Sequence, residues 1–288
     1  MEIVIVPAWR RPAFLLATLR RLEIAAEAEL DVQLWITLDR RHDAATAKVA
    51  HDFQARHGRA RVQVLRRTHP YRGNSYNVLQ AYREALTVRP DLIHLVEEDV
   101  LVGADYFAFH RAAHKLAPDV LAVSAARNQN FPHDPEPDPS ALYLGSQYQS
   151  VAVSFRPWQL SPVLEHATSA YFSNPIAYCQ RRFPRSRIPR GNAEQDGLIN
   201  RVVEQQARVS EGRSGHVAYA ALPRAYHAGF VGYHRRGETL TGTVEQQADR
   251  ILTMTTAEMN TAAHSYPDHQ VVDLDARPGE PSRMIAWP

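Results

Sequence analysis

The chain has 288 residues, with 33 Lys plus Arg against 31 Asp plus Glu and a formal net charge of +2. Only Lys48 and Lys115 are lysines, so 31 of the cationic side chains are arginine. Neither lysine closes a Gly-rich turn ahead of Ser or Thr, which excludes a phosphate-cradling P-loop, and both lie in helix-like stretches that argue against a Schiff base. Any phosphate chemistry therefore falls to arginine, backbone N–H groups or a metal, and arginine holds phosphate bidentately without losing its charge.

The 44% hydrophobic content supports a real core. The single cysteine, Cys179, excludes an intrachain disulfide and fits a reducing, cytoplasmic setting. No stretch approaches the roughly 20 apolar residues of a membrane span, and no secretory leader is expected.

Glu2 to Pro7 is a β-branched apolar run and reads as a buried strand. Pro12 suits the first turn of a helix that places Leu15, Leu19 and Leu22 on one face. Val32 to Leu38 reads as a second strand, ending at Asp39. Asp43 caps the next helix and Gly58 ends it. Val62 to Leu65 forms a third strand, and Asn74 opens a helix with Leu79, Tyr82 and Leu86 on one side. Leu92 to Val96 is a fourth strand that runs straight into Glu97-Glu98-Asp99. A helix near Ala104 to Leu116 and a strand from Val120 to Ser124 follow. Strands alternating with helices imply an α/β fold with a mostly parallel sheet, and such sheets gather ligands at the carboxyl ends of their strands. Arg10, Asp39 and Glu97 to Asp99 all fall there.

The segment from Asn128 to Ser140 carries four prolines and reads as a loop. Val151, Val153 and Phe155 alternate as in a strand. Arg181 to Arg190 holds five arginines and two prolines and reads as an exposed loop. Glu194 to Gln206 and Thr243 to Met254 read as helices, and a Pro-containing tail ends the chain.

Three adjacent acids repel one another and call for a cation nearby. Glu97 to Asp99, at a strand's carboxyl end, are therefore candidates to hold a hard divalent ion through oxygen ligands. Asp196, at a helix start, could accept a hydroxyl proton, although an acid there also simply complements the helix end. Pro223 to Gly237 concentrates Gly, His and Arg. Glycine admits close backbone approach, His227 and His234 could ligate a metal, and Arg235 and Arg236 could clamp a phosphate.

The runs Leu95-Val-Glu97-Glu98-Asp99 through Asp105-Tyr-Phe107 and Val123-Ser-Ala-Ala-Arg-Asn128 resemble signatures of GT-A fold glycosyltransferases. The likeness is to the inverting group that includes N-acetylglucosaminyltransferase I and the protein O-mannose N-acetylglucosaminyltransferase. It implies a GT-A type, Rossmann-like fold with helices flanking the sheet. Residues 1–125 would form the nucleotide-sugar half, 126–240 the acceptor and base half, and 241–288 a C-terminal helix and tail. It implies an enzyme that moves a sugar from a nucleotide diphosphate sugar, UDP-linked by preference, to an acceptor hydroxyl with Mn²⁺ or Mg²⁺. Asp99 and His227 or His234 would bind the metal. Glu97 and Glu98 would lie near ribose and sugar, Arg10 and Asp39 near the nucleotide, and Asn74 and Asn77 along the donor pocket. Asp196 would be the base. The acceptor stays open between a glycan, a metabolite and a hydroxymethylated base in DNA, the last being a partner for the Arg181–Arg190 segment. A sugar nucleotidyltransferase and a non-enzymatic nucleic-acid binder are the more distant alternatives.

Overall fold

In the computed structural model the residues described are 1–27, 29, 31–68, 71, 74–126, 138, 141–209, 215–229, 240–259 and 270–273, with the side chains of 254–259 and 270–273 left aside. Strand β1 (Glu2–Ala8) leads to α1 (Pro12–Ala25), with Pro12 in its first turn. β2 (Val32–Leu38) and α2 (Ala44–His57) follow. The Asp43 carboxylate caps α2 by accepting from the Thr46 N–H, and Gly58 ends it at a φ of 78°. β3 (Val62–Arg66), α3 (Asn74–Thr87) and β4 (Leu92–Leu95) complete the first run.

The chain then departs from plain alternation. A three-residue strand, β5 (Val100–Val102), leaves the acidic turn before α4 (Tyr106–Leu116). The alternation pattern is too short there to signal a strand. After β6 (Ala122–Ser124) come β7 (Ala141–Gly145), β8 (Val153–Phe155) and a 3-10 turn at Pro157–Leu160. The short helices α5 (Ser161–Leu164) and α6 (Ser169–Ser173) precede α7 (Pro175–Arg182) and the long α8 (Gln195–Val209). The expected Arg181–Arg190 loop thus begins on a helix: Arg181 and Arg182 are the last residues of α7. β9 (Val217–Ala220), β10 (Ala225–His227), α9 (Val244–Met259) and β11 (Gln270–Asp273) end the described chain.

The nine-stranded sheet runs β11-β7-β9-β6-β8-β4-β1-β2-β3. β1, β2, β3 and β4 are mutually parallel and β6 is parallel to β9, whereas β8 lies antiparallel between β4 and β6. This is the expected α/β architecture, a mostly parallel sheet flanked by helices. β1 alternates between two cores: Val4 and Val6 face the side of α1, α2 and α4, while Ile3 and Ile5 face α3 and α8. A third cluster seats α9 on α1 through Ala248, Ile251, Ala13 and Ala17. Among the described residues no helix is long and apolar enough to cross a membrane.

One polar knot lies inside. His94 of β4 bonds Glu2 at 2.9 Å, and Ser154 of β8 sits between His110 at 2.6 Å and His114 at 2.9 Å, both on α4. All three imidazoles are buried.

Candidate active site

The carboxyl ends of β1 and β4 meet the start of α8. Glu98 is held most firmly. Its carboxylate accepts from the Trp9 N–H at 2.8 Å and from Arg11 Nε at 2.9 Å, and Thr18 of α1 donates to its carbonyl at 2.8 Å. Burial nevertheless pushes its carboxyl up to about 7, against the pull of Arg11. Asp99 Oδ2 takes Arg11 Nη1 at 2.5 Å and lies 3.2 Å from His227 Nε2. Burial raises its carboxyl, but His227 and Arg11 outweigh that and hold it below the ordinary range.

His227 arrives through the small sheet. β10 pairs antiparallel with β5, His227 opposite Val100, and the Ala228 N–H donates to the Asp99 carbonyl at 2.7 Å. Ligand atoms of Glu97, Asp99 and His227 all lie within 4.8 Å of one another. Two carboxylates and an imidazole suit a divalent ion, Mn²⁺ better than the harder, oxygen-seeking Mg²⁺. Asp99 Oδ1, buried, has no hydrogen-bond partner among the described residues. The backbone at Gly229 passes so close that a Cβ there would lie 2.7 Å from Asp99 Oδ2. Both observations fit a site shaped around an ion at Asp99.

Asp196 stands in the first turn of α8. Ser150 Oγ lies 3.2 Å from Asp196 Oδ2 and 3.3 Å from Glu97 Oε1, so one hydroxyl bridges the acidic turn to the helix. Asp196 Oδ1 has no partner among the described residues. Burial pushes the Asp196 carboxyl up to about 6, with Ser150 opposing. Burial, then the facing charges of Asp196 and Asp99, carry Glu97 well above the usual carboxylate range. The neighbourhood is cross-linked by hydrogen bonds. Tyr148 and Asn200 exchange two hydrogen bonds, at 2.7 and 2.9 Å, which tie the Ser150 segment to α8. Ser75 of α3 accepts from the Gln195 N–H at 2.9 Å.

The other expected residues fall differently. Arg10 is exposed, with Nε donating to the Arg41 carbonyl at 2.8 Å, and it is Arg11 that reaches the acids. Asp39 stands at the end of β2, where its carboxylate accepts from the Arg41 N–H at 2.9 Å. Asn74 begins α3. Asn77 is buried, donating to the Thr37 carbonyl at 2.9 Å and accepting from Arg67 at 3.1 Å, which fastens α3 to β2. His234, Arg235, Arg236 and the Arg127-Asn128 pair lie outside the described residues. Arg11 and Ser150 escape sequence reasoning. The doubled arginine after β1 is a visible signal for the first, while Ser150 has none.

Residues 3–133 match the family model of glycosyltransferase like family 2. The match runs from β1 past β6 and includes the whole acidic turn, so this part of the chain is similar to the glycosyltransferase family 2 domain. Curated proteins yield no match. Similar solved structures include S. aureus TarS 1-349 in complex with UDP-GlcNAc, at 10% identity over 92% of this chain and 68% of that one, with a TM-score of 0.48. Another is the mannosyltransferase PcManGT from Pyrobaculum calidifontis with GDP-Man and Mn²⁺, at 15% identity over 92% and 76%, TM-score 0.47. A third is glucosyl-3-phosphoglycerate synthase from Mycobacterium tuberculosis with Mn²⁺, UDP and phosphoglyceric acid, at 12% identity over 100% and 87%, TM-score 0.48.

Proposed function

We propose that the protein is a metal-dependent, inverting glycosyltransferase that moves a sugar from a nucleotide diphosphate sugar, UDP-linked by preference, to an acceptor hydroxyl. The observation that carries this reading is the facing of the Glu97, Asp99 and His227 cluster by Asp196 across Ser150. Asp99, His227 and Glu97 would hold Mn²⁺ or Mg²⁺, which when bound neutralises charge on a leaving diphosphate. Glu98 takes no part in that cluster. It fixes the Trp9 backbone and orients Arg11 beside Asp99.

The half-buried Asp196 acts as the base. Its Oδ2 is anchored by Ser150, and the buried Oδ1, without a hydrogen-bond partner among the described residues, is the oxygen that would take the proton of an acceptor hydroxyl as that hydroxyl oxygen attacks the anomeric carbon. A carboxyl titrating near 6 is mostly ionised at neutral pH and still basic enough to receive that proton. One base and one displacement invert the anomeric centre. Residues 1–125 serve as the donor half, 126–240 as the acceptor half, and 241–288 as the closing helix and tail.

A metal-free variant of the same reading has one observation in its favour. Arg11 already places a guanidinium against both Glu98 and Asp99 and could itself face a diphosphate. Thermal-shift measurement with UDP, with and without Mn²⁺, decides between them. We expect UDP to raise Tm only with Mn²⁺ present, and Asp99→Ala to abolish that shift. A shift with UDP that survives EDTA overturns the metal dependence, and no shift with any nucleotide or nucleotide sugar overturns the donor assignment.

A further inference from the structure

Away from the acidic turn, at the opposite end of α8, Arg182, Arg185 and Arg208 line a hollow of about 160 Å³, floored by Arg201 and Glu204. From Asp196 to Arg208 the helix rises roughly 18 Å, so the hollow is distinct from the candidate active site. It is built rather than merely exposed. The guanidinium of the buried Arg201 donates to the carbonyls of Ile188, Pro189, Asn192 and Gly197, which pins the 188–192 backbone to the helix. The Glu204 carboxylate accepts from the Arg187 N–H at 2.9 Å, and Arg208 donates to the Arg185 carbonyl at 2.8 Å and to Glu204 at 2.8 Å.

Four guanidiniums therefore surround one carboxylate, and that carboxylate is already engaged. Among the described residues neither Arg182 nor Arg185 has a carboxylate within ion-pairing distance, and both are exposed. Arg182 and Arg208 complement the carbonyl ends of α7 and α8. That role leaves Arg185 and the convergence of all three on one hollow unaccounted for. The space admits about five water-sized groups, enough for one phosphate group.

We infer that this hollow binds the phosphate group of a ligand, held by Arg182, Arg185 and Arg208. Several forked donors converging on one space match the tetrahedral oxygens of phosphate. Two sources share the chemistry: a phosphodiester of a nucleic-acid strand and a free phosphate ion. The roughly 18 Å to Asp196 is a span that a strand of a few nucleotides covers. A strand seated in the hollow can thus reach the base, and that use, though not the binding itself, rests on the function proposed above.

The test uses the full chain and an R182A/R185A double variant, with a fluorescein-labelled single-stranded oligonucleotide as one probe and inorganic phosphate as the other. For a strand, the variant should bind the oligonucleotide at least tenfold more weakly. Its plot of log affinity against log salt should be shallower by about 1.4, two phosphate contacts having been lost. For a free phosphate, the oligonucleotide fails to bind, while millimolar phosphate raises the Tm of the wild type and not of the variant. Equal Tm of the two proteins without ligand shows that the variant is folded. Binding of either probe equally to both proteins, or of neither probe to the wild type, overturns the inference. Loss of the UDP and Mn²⁺ shift in both proteins would overturn glycosyl transfer and leave the phosphate site standing.

Discussion

At the scale of single residues, Asp196, the proposed base, carries a measurable cost. Its folded-state carboxyl is raised from 3.8 to about 6, chiefly by burial. A raised carboxyl contributes stability below its unfolded value, and that contribution is lost as pH rises through its folded value. Asp196→Asn should therefore raise Tm at pH 8 by up to about 9 °C, the ~3 kcal/mol that a rise from 3.8 to about 6 carries, and change it little at pH 4. The same variant should lower sugar transfer, or UDP release from a UDP-sugar, by about 10²- to 10⁴-fold with UDP binding intact. Wild-type activity should climb with pH through about 6 as the base ionises. Ser150→Ala should cut turnover about tenfold, the loss of one charge-assisted hydrogen bond, with donor KM unchanged and Ser150→Thr restoring much of the rate. A variant with unaltered turnover would deny Ser150 its anchoring part. Neither effect of Ser150 is legible in the sequence, because a serine in a loop carries no pattern. The positions of Asp196 and Asp99 in the fold are legible because each stands at the end of a strongly periodic element.

At the scale of elements, the start of α8 decides where Asp196 points. Gly197 is buried, and a Cβ there would overlap the Asn192 carbonyl, which Arg201 already holds. Gly197→Ala should therefore push the first turn of α8 outward, lower Tm, and reduce turnover by more than the loss of stability explains. Retention of full activity at a temperature where the variant is folded would show that the turn absorbs the methyl group. The first 125 residues were readable almost element by element. Their strands and helices each carry a period, and Asp43 and Gly58 mark the helix they bound. β5 was not readable, since three apolar residues after an acidic turn carry no period. Yet β5, by pairing with β10, is what brings His227 to Asp99. Sequence reading thus supplied the members of the cluster and missed the means of their meeting. Arg10 and Asn77 show the converse case. Each stands at a strand end or on a helix that the sequence locates well, but its side chain is engaged elsewhere, by the Arg41 carbonyl and by Thr37 and Arg67.

At the scale of the whole molecule, the histidine knot couples the interior to acid. It joins β1, β4, β8 and α4, with Arg111 of α4 pairing to Glu2 at 3.0 Å and Arg156 donating to the His114 carbonyl at 2.6 Å. Burial drives His110 well below the ordinary imidazole value, and burial followed by Arg156 drives His114 from 6.5 to about 3. A depressed imidazole contributes stability that is present above the unfolded value of about 6.5 and lost as pH falls toward its folded value. His114 alone should therefore make the fold about 2 kcal/mol less stable at pH 5 than at pH 8. His114→Gln should flatten that part of the curve in urea unfolding across this range, and an unchanged pH slope would show that His114 is not the group responsible.

The antiparallel course of β8 has a consequence for rebuilding the molecule. Because β8 runs against β4 and β6, the residue that precedes it lies beside the residues that follow them. One rim of the sheet therefore collects Arg11, Glu97 to Asp99 and Ser150, whether they come before or after a strand. The other rim holds connections such as the turn after α2, where the space around Gly58 is open although its φ of 78° keeps that one position for glycine. Grafts, reporter domains and new chain termini belong on that second rim, where the length of a connection is free to change. On the first, a single inserted residue between Ser150 and Val153 would break the register that carries the Ser150 hydroxyl to Asp196.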